Sequence, residues 1–258
     1  MIAGCEKEDD KESPPEIPPA TTFVIDFSDF PSQKSATLPY LERGLKDIQT
    51  TQNWAFAATN VFVWSAIITV HLVIPVAAFV ESFNHEPEYQ GDLHWIWSYS
   101  CTVRGTEYFA KLHGNLGVSK VEWAMYISSE IDTTKFLWFE GESSLLVTEG
   151  TWTLYYNPED PAPYLGIEWQ RNVDDETLDI KYTNIIPEGA ENGSYISHGI
   201  VNETPYDAFY EIYRKRQENT IDIEWSRTTK EGRVRDFLHF EDNLWHCWDT
   251  ALTDIDCN

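Results

Sequence analysis

A chain of 258 residues can bury a full hydrophobic core without metal or disulfide staples, and it fits one large domain or two modest ones. Asp and Glu number 43 against 18 Lys and Arg, a net charge of −25 that repels phosphate backbones and excludes nucleic acid as a partner. Eleven Trp, 13 Tyr and 13 Phe exceed what a helical bundle or an unfolded segment uses, and point to β-rich structure or aromatic-lined binding surfaces.

The chain opens Met1-Ile2-Ala3-Gly4-Cys5, then runs through the charged stretch Glu6–Glu12 and the proline-rich stretch Ser13–Pro19. Aliphatic, small, small, Cys at 2–5 resembles the lipobox of a bacterial lipoprotein, which implies lipidation at Cys5. A complete leader would also need a charged region and an apolar region ahead of this tetrapeptide. Neither the charged nor the proline-rich stretch has anything to bury, so residues 1–20 are expected to form a disordered tether and 21–49 an irregular linker. An acidic run directly after the lipidated Cys resembles the surface-export signal of Bacteroidota lipoproteins. That resemblance implies a lipid anchor in the outer membrane, facing outward, with a periplasm-facing orientation as the alternative.

From Ile48 to Val80 there are 33 residues without Asp, Glu, Lys or Arg, more than the ~20 of a membrane-spanning helix. Gln49, Gln52, Asn53, Asn60, His71 and Pro75 make it a poor lipid-facing surface, so burial in a soluble domain is the expectation and a membrane span the alternative. Helical spacing puts Ala55, Ala58, Ser65, Ala66, Thr69 and Ala77 on one half, suited to close approach to a sheet, and Phe56, Trp64, Ile67, Ile68, Ile74 and Phe79 on the other. Asn60, Trp64 and His71 form one stripe. Pro75 is expected to kink or end the helix.

After Pro87, aromatic and β-branched runs recur every 12 to 20 residues between turn residues, the pattern of an antiparallel meander. Twelve strands are predicted: 93–103, 107–112, 121–128, 135–140, 151–157, 164–170, 178–183, 195–201, 206–213, 220–226, 233–240 and 244–248. Trp95, Trp97 and Tyr99 alternate with His94, Ser98 and Ser100, and Val121, Trp123, Met125 and Ile127 share one face in the same way. A long sheet with one dry face must curl, pair or wrap something. The predicted fold is therefore mainly β: a large meander curled into a partly closed barrel around the apolar helix, one domain over 50–258, with a β-sandwich plus helix as the alternative.

With Cys5 assigned to lipid, Cys101, Cys247 and Cys257 remain, and at most one bridge can form. Pairing Cys247 with Cys257 clips the C-terminal tail, while pairing Cys101 with Cys247 would join the first strand to the last. The former is preferred because Cys101 lies among apolar residues. No metal-ligand spacing occurs among the seven His, and no nucleophile elbow, Walker loop or dinucleotide fingerprint is present. Neither a metal nor a cofactor is expected, and no catalytic residue is singled out.

Lipobox, acidic tether, apolar helix and the C-terminal Trp245-His246-Cys247-Trp248-Asp249 together resemble a group of Bacteroidota outer-membrane lipoproteins. The resemblance implies an address and a fold and no activity. A non-catalytic binding module for a small apolar molecule or a glycan is the leading functional expectation, with Trp64, His71, Trp95 and Trp97 as candidate cavity lining. The alternatives are a structural or partner-binding lipoprotein and a hydrolase without a recognisable motif.

Overall fold

Alternation of large apolar and polar side chains carries the chain through fourteen strands that hydrogen-bond in strict chain order, each antiparallel to the next. The computed structural model describes residues 13–24, 27–31, 52–175 and 177–257. The first seven strands are β1 (Glu88–Gly91), β2 (His94–Val103), β3 (Thr106–Leu116), β4 (Lys120–Ser129), β5 (Phe136–Ser144), β6 (Glu149–Tyr155) and β7 (Pro163–Asn172). The rest are β8 (Thr177–Asn184), β9 (Tyr195–Ile200), β10 (Ala208–Arg214), β11 (Asn219–Trp225), β12 (Gly232–Arg235), β13 (His246–Trp248) and β14 (Asp254–Ile255). Helix α1 (Gln52–Ser82) precedes them, and the single turn α2 (Phe237–Phe240) follows β12.

The protein is thus mainly β, a single antiparallel meander with one long N-terminal helix. Among the described residues no ladder joins β1 to β14, so the sheet is open and a closed barrel is not formed. Both ends nonetheless meet the helix: α1 packs on β2 and β3 at one end and on β12, β13 and β14 at the other. Twelve predicted strands became fourteen because β1 and β14 are too short to show alternation. The run expected as one strand over 233–240 splits after Arg235. Asp236 is buried and its carboxylate accepts from the Leu238 backbone N–H, capping α2 and turning the chain into a helix.

The dry face follows the alternation. Trp95, Trp97, Trp123, Met125, Trp152, Trp169, Trp225 and Trp248 are all buried. Close ring packing needs glycine at the facing position: a Cβ on Gly150 would lie 2.5 Å from Trp169 Cζ2 and 2.4 Å from the Glu142 carbonyl oxygen.

The tether expectation fails for residues 13–20, and the linker expectation for the described part of 21–49. Phe23 and Phe30 are buried in the concave face, Phe23 stacked on Trp152 at 4.6 Å and against Phe139 at 4.7 Å. Aromatic donors clasp the backbone of this segment. Tyr182 donates to the Phe23 carbonyl at 2.8 Å, Trp225 to that of Asp29 at 3.3 Å and Trp54 to that of Pro31 at 2.9 Å. The cause is the curl itself, which leaves a concavity that apolar side chains from outside the sheet must fill. Cys5, the run 6–12 and the stretch 32–51 lie outside the described residues.

With that segment inside, α1 crosses the strand ends instead of lying at the centre. Trp54, Ala57, Val61, Ile68, Leu72 and Phe79 point inward and are buried. The small residues do not form the sheet-facing side: Ala66 and Thr69 face solvent. So do Phe62 and Val70, 70% and 65% exposed, and the expectation of a buried segment holds for one face only. It is a helix long and apolar enough to cross a membrane, packed on a sheet along one side.

Pro75 does not end the helix. Its ring nitrogen cannot donate to the carbonyl of His71, four residues back, and the Tyr164 hydroxyl lies 3.5 Å from that oxygen as a long substitute hydrogen bond. At the other terminus, both carboxylate oxygens of Asp254 accept from the N–H groups of Gln52 and Asn53 at 3.0 Å, placing negative charge at the helix N-terminus. A Cys247–Cys257 disulfide closes the loop that carries Asp254, and Cys101 is a half-buried free thiol.

Candidate functional site

Antiparallel succession brings alternate strand ends to the same margin of the sheet. Tyr156 just after β6, Tyr164 in β7, Asn184 closing β8, Ser194 before β9 and Arg214 closing β10 therefore share one side, the side that α1 crosses. Between them and the helix turns carrying Val63, Trp64, Ile67 and His71 lies a cleft of about 440 Å³. That volume suits a small organic ligand. A register shift between Leu154 and Tyr155 marks a bulge at the cleft margin, which bends the strand end just before Tyr156.

One wall is aromatic. The His71 ring stands 5.4 Å from both Tyr156 and Tyr164, and the two tyrosines meet edge to face at 5.5 Å. Burial drives the Tyr164 phenol well above its ordinary pKa, so it stays a neutral donor. Leu165, Ile186 and Ile67 extend the apolar lining.

The opposite wall is charged. Arg214 is held by two side-chain amides, donating to Asn60 Oδ1 and, at 3.2 Å, to Gln217 Oε1. Other arginines are differently placed: Arg227 in the turn after β11, and Arg233 and Arg235 in β12, each pair with a carboxylate, Asp207, Glu224 and Asp222. Among the described residues Arg214 forms no such pair. Glu191, which also lines the cleft, accepts from the Ser194 hydroxyl at 2.7 Å, while Ser194 Oγ accepts from the Lys215 N–H at 2.9 Å. Ser194 is thereby committed on both sides and acts as a bracket between loops.

Of the residues singled out in the sequence, the structure brings Trp64 and His71 to this cleft. Trp95 and Trp97 lie elsewhere, buried in the core of β2; Trp97 packs 5.9 Å from Trp123 and Trp95 5.1 Å from Tyr89. Strand alternation aims both at the dry face, toward the far end of α1, so they are core residues and not cavity lining. Sequence reasoning missed Tyr156, Tyr164, Glu191 and Arg214. The tyrosines bracket the turn residues Asn157-Pro158 and Pro161, a visible signal; nothing in the pattern distinguished Arg214.

A shallower groove of about 570 Å³ runs over β4 to β10 on the sheet. Its cations are already neutralised, Lys120 by Glu142 and Lys181 by Glu168 at 3.9 Å, and burial raises the pKa of Asp179 within it. His94 and His113 touch on the outer sheet surface with Nε2 and Nδ1 3.0 Å apart. Among the described residues no group of three His, Cys, Asp or Glu is arranged to hold a metal ion. The cleft beside α1 is the better site, since it joins a longer apolar lining to a polar margin and to a guanidinium that, among the described residues, has no carboxylate partner. No family model, curated protein or solved structure matches this chain.

Proposed function

We propose that this chain is a cell-envelope lipoprotein, anchored through Cys5, whose helix-and-sheet domain binds an apolar or glycan ligand without transforming it. In this reading the curled meander works as a partly closed barrel with α1 spanning one end. The observation that carries it is the cleft beneath α1, where Trp64, His71, Tyr156 and Tyr164 offer ring surface at low entropic cost. Its walls favour an apolar body over a glycan, because Leu165, Ile67 and Ile186 cannot satisfy sugar hydroxyls. The lipobox-like Ile2-Ala3-Gly4-Cys5 and the acidic run behind it support an outer-membrane address facing the exterior.

Two measurements test the reading. A clickable fatty acid fed to cells making the full-length precursor should label the protein and not its Cys5→Ala variant; equal labelling contradicts the anchor. A lipid extract of the same envelopes should raise the melting temperature of the wild type, because a ligand that binds only the folded state stabilises it. Ile67→Trp, which fills the cleft, should abolish that rise. A rise of the same size in both proteins would place binding elsewhere.

The outer face of α1 favours a second reading, a partner-binding lipoprotein. Phe62, Val63 and Val70 are exposed along one stripe of a helix that carries no charge before Glu81.

A further inference from the structure

The chemistry of the ligand can be taken one step further, resting on the reading that the cleft is a binding site. In a chain with 43 carboxylates, a guanidinium at the wall of an apolar cleft has an abundance of potential partners. Arg214 is nevertheless fixed by neutral oxygens, those of Asn60 and Gln217, which orient the fork and leave its charge in place. Asn60 is itself buried and anchored, its amide nitrogen donating to the Phe56 carbonyl at 2.9 Å, so its oxygen is presented to Arg214 by a rigid helix turn. Among the described residues the one carboxylate that lines the cleft, Glu191, is turned to Ser194 and makes no ion pair with Arg214. A cation left uncompensated beside apolar walls is stabilised by an anion that arrives with the ligand.

We infer that the cleft takes a single-chain amphiphile with an anionic head, the head on Arg214 and the tail along Ile67, Trp64 and the Tyr156–Tyr164 pair. Val63 and Ile67 each line the cleft and are about half exposed on the outer face of α1, so the cleft opens onto an apolar strip along which a longer tail can continue. Glu191 opposes the head and limits its charge to one unit.

Calorimetric titration of the full chain with octanoate, 1-octanol and octylammonium, all below their aggregation limits, separates head from tail. Octanoate should bind at least about tenfold more tightly than octanol, and octylammonium most weakly; tenfold corresponds to about 1.4 kcal/mol. Arg214→Gln should bring octanoate down to the level of octanol while octanol itself is unchanged, and Arg214→Lys should keep part of the preference. Glu191→Gln, which leaves Arg214 and its two amide partners intact, should tighten octanoate and serves as the readout should the Arg214 variants not fold. Equal binding of octanoate and octanol, or octanoate unaffected by both Arg214→Gln and Glu191→Gln, overturns the anionic assignment and leaves the binding reading standing. If none of the three probes binds the wild type, the apolar cleft reading falls with it.

Discussion

At the scale of single residues, His113 is held where protonation is disfavoured. Burial is the larger cause and the contact with His94 the next, and together they keep its imidazole below the usual value of 6.5. The unfolded chain therefore takes up the proton first as pH falls. The stability this group contributes is complete above about pH 6.5 and is lost progressively below it, through the lower value in the folded state. The urea midpoint should fall between pH 7.5 and 5.5 by more in the wild type than in His113→Gln; identical falls would show that the pair does not carry the effect. Single residues also mark where the sequence was legible and where it was not. Trp64 and His71 stood out as polar-tipped aromatics on one stripe of an uncharged helix. Arg214 did not, because its meaning lies in what fails to pair with it, and partners are set by tertiary structure.

Among the elements, α1 is the least legible and the most informative. The segment is apolar on all sides, so periodicity could only separate small from large side chains, and the small half it offered as the sheet-facing side is not the one that packs. The structure selects one that mixes sizes: Trp54, Val61, Ile68, Leu72 and Phe79 reach down into the curl with Ala57 and Ala78 between them, while Phe62 and Val70 are left outside with Ala66 and Thr69. The β-strands were legible for the opposite reason, since Val121, Trp123, Met125 and Ile127 alternate with exposed or half-buried neighbours and admit one facing only. The Pro75 break was expected from local chemistry and is averted by tertiary chemistry, through Tyr164 at the His71 carbonyl. A double-mutant cycle tests that compensation. Tyr164→Phe should cost about 0.5–1.5 kcal/mol of stability in the wild type. It should cost less in Pro75→Ala, where the restored N–H supplies the missing donor. Equal costs in the two backgrounds would mean that the hydroxyl does not serve the helix.

For the whole molecule, the decisive event is the filling of the curl by residues from before the helix. Composition hides this, because Ser13–Pro19 reads as unfolded chain and only Phe23, Phe27 and Phe30 hint that the following segment has something to bury. Once Phe23 and Phe30 occupy the concavity, α1 is displaced to the strand ends. The space that remains is the cleft between the helix and Tyr156, Tyr164 and Arg214. The fold and the candidate site are in this sense one consequence: an interior filled by the helix would have no cleft, and a sheet without the N-terminal segment would have a larger and less specific one. Native mass spectrometry of the full chain, released gently from the envelope of cells that make it, tests that account most directly. The wild type should carry a bound small molecule at up to one per chain, and Ile67→Trp should be bare. A wild type as bare as the variant, or a ligand retained equally by both, would contradict a binding cleft beneath α1.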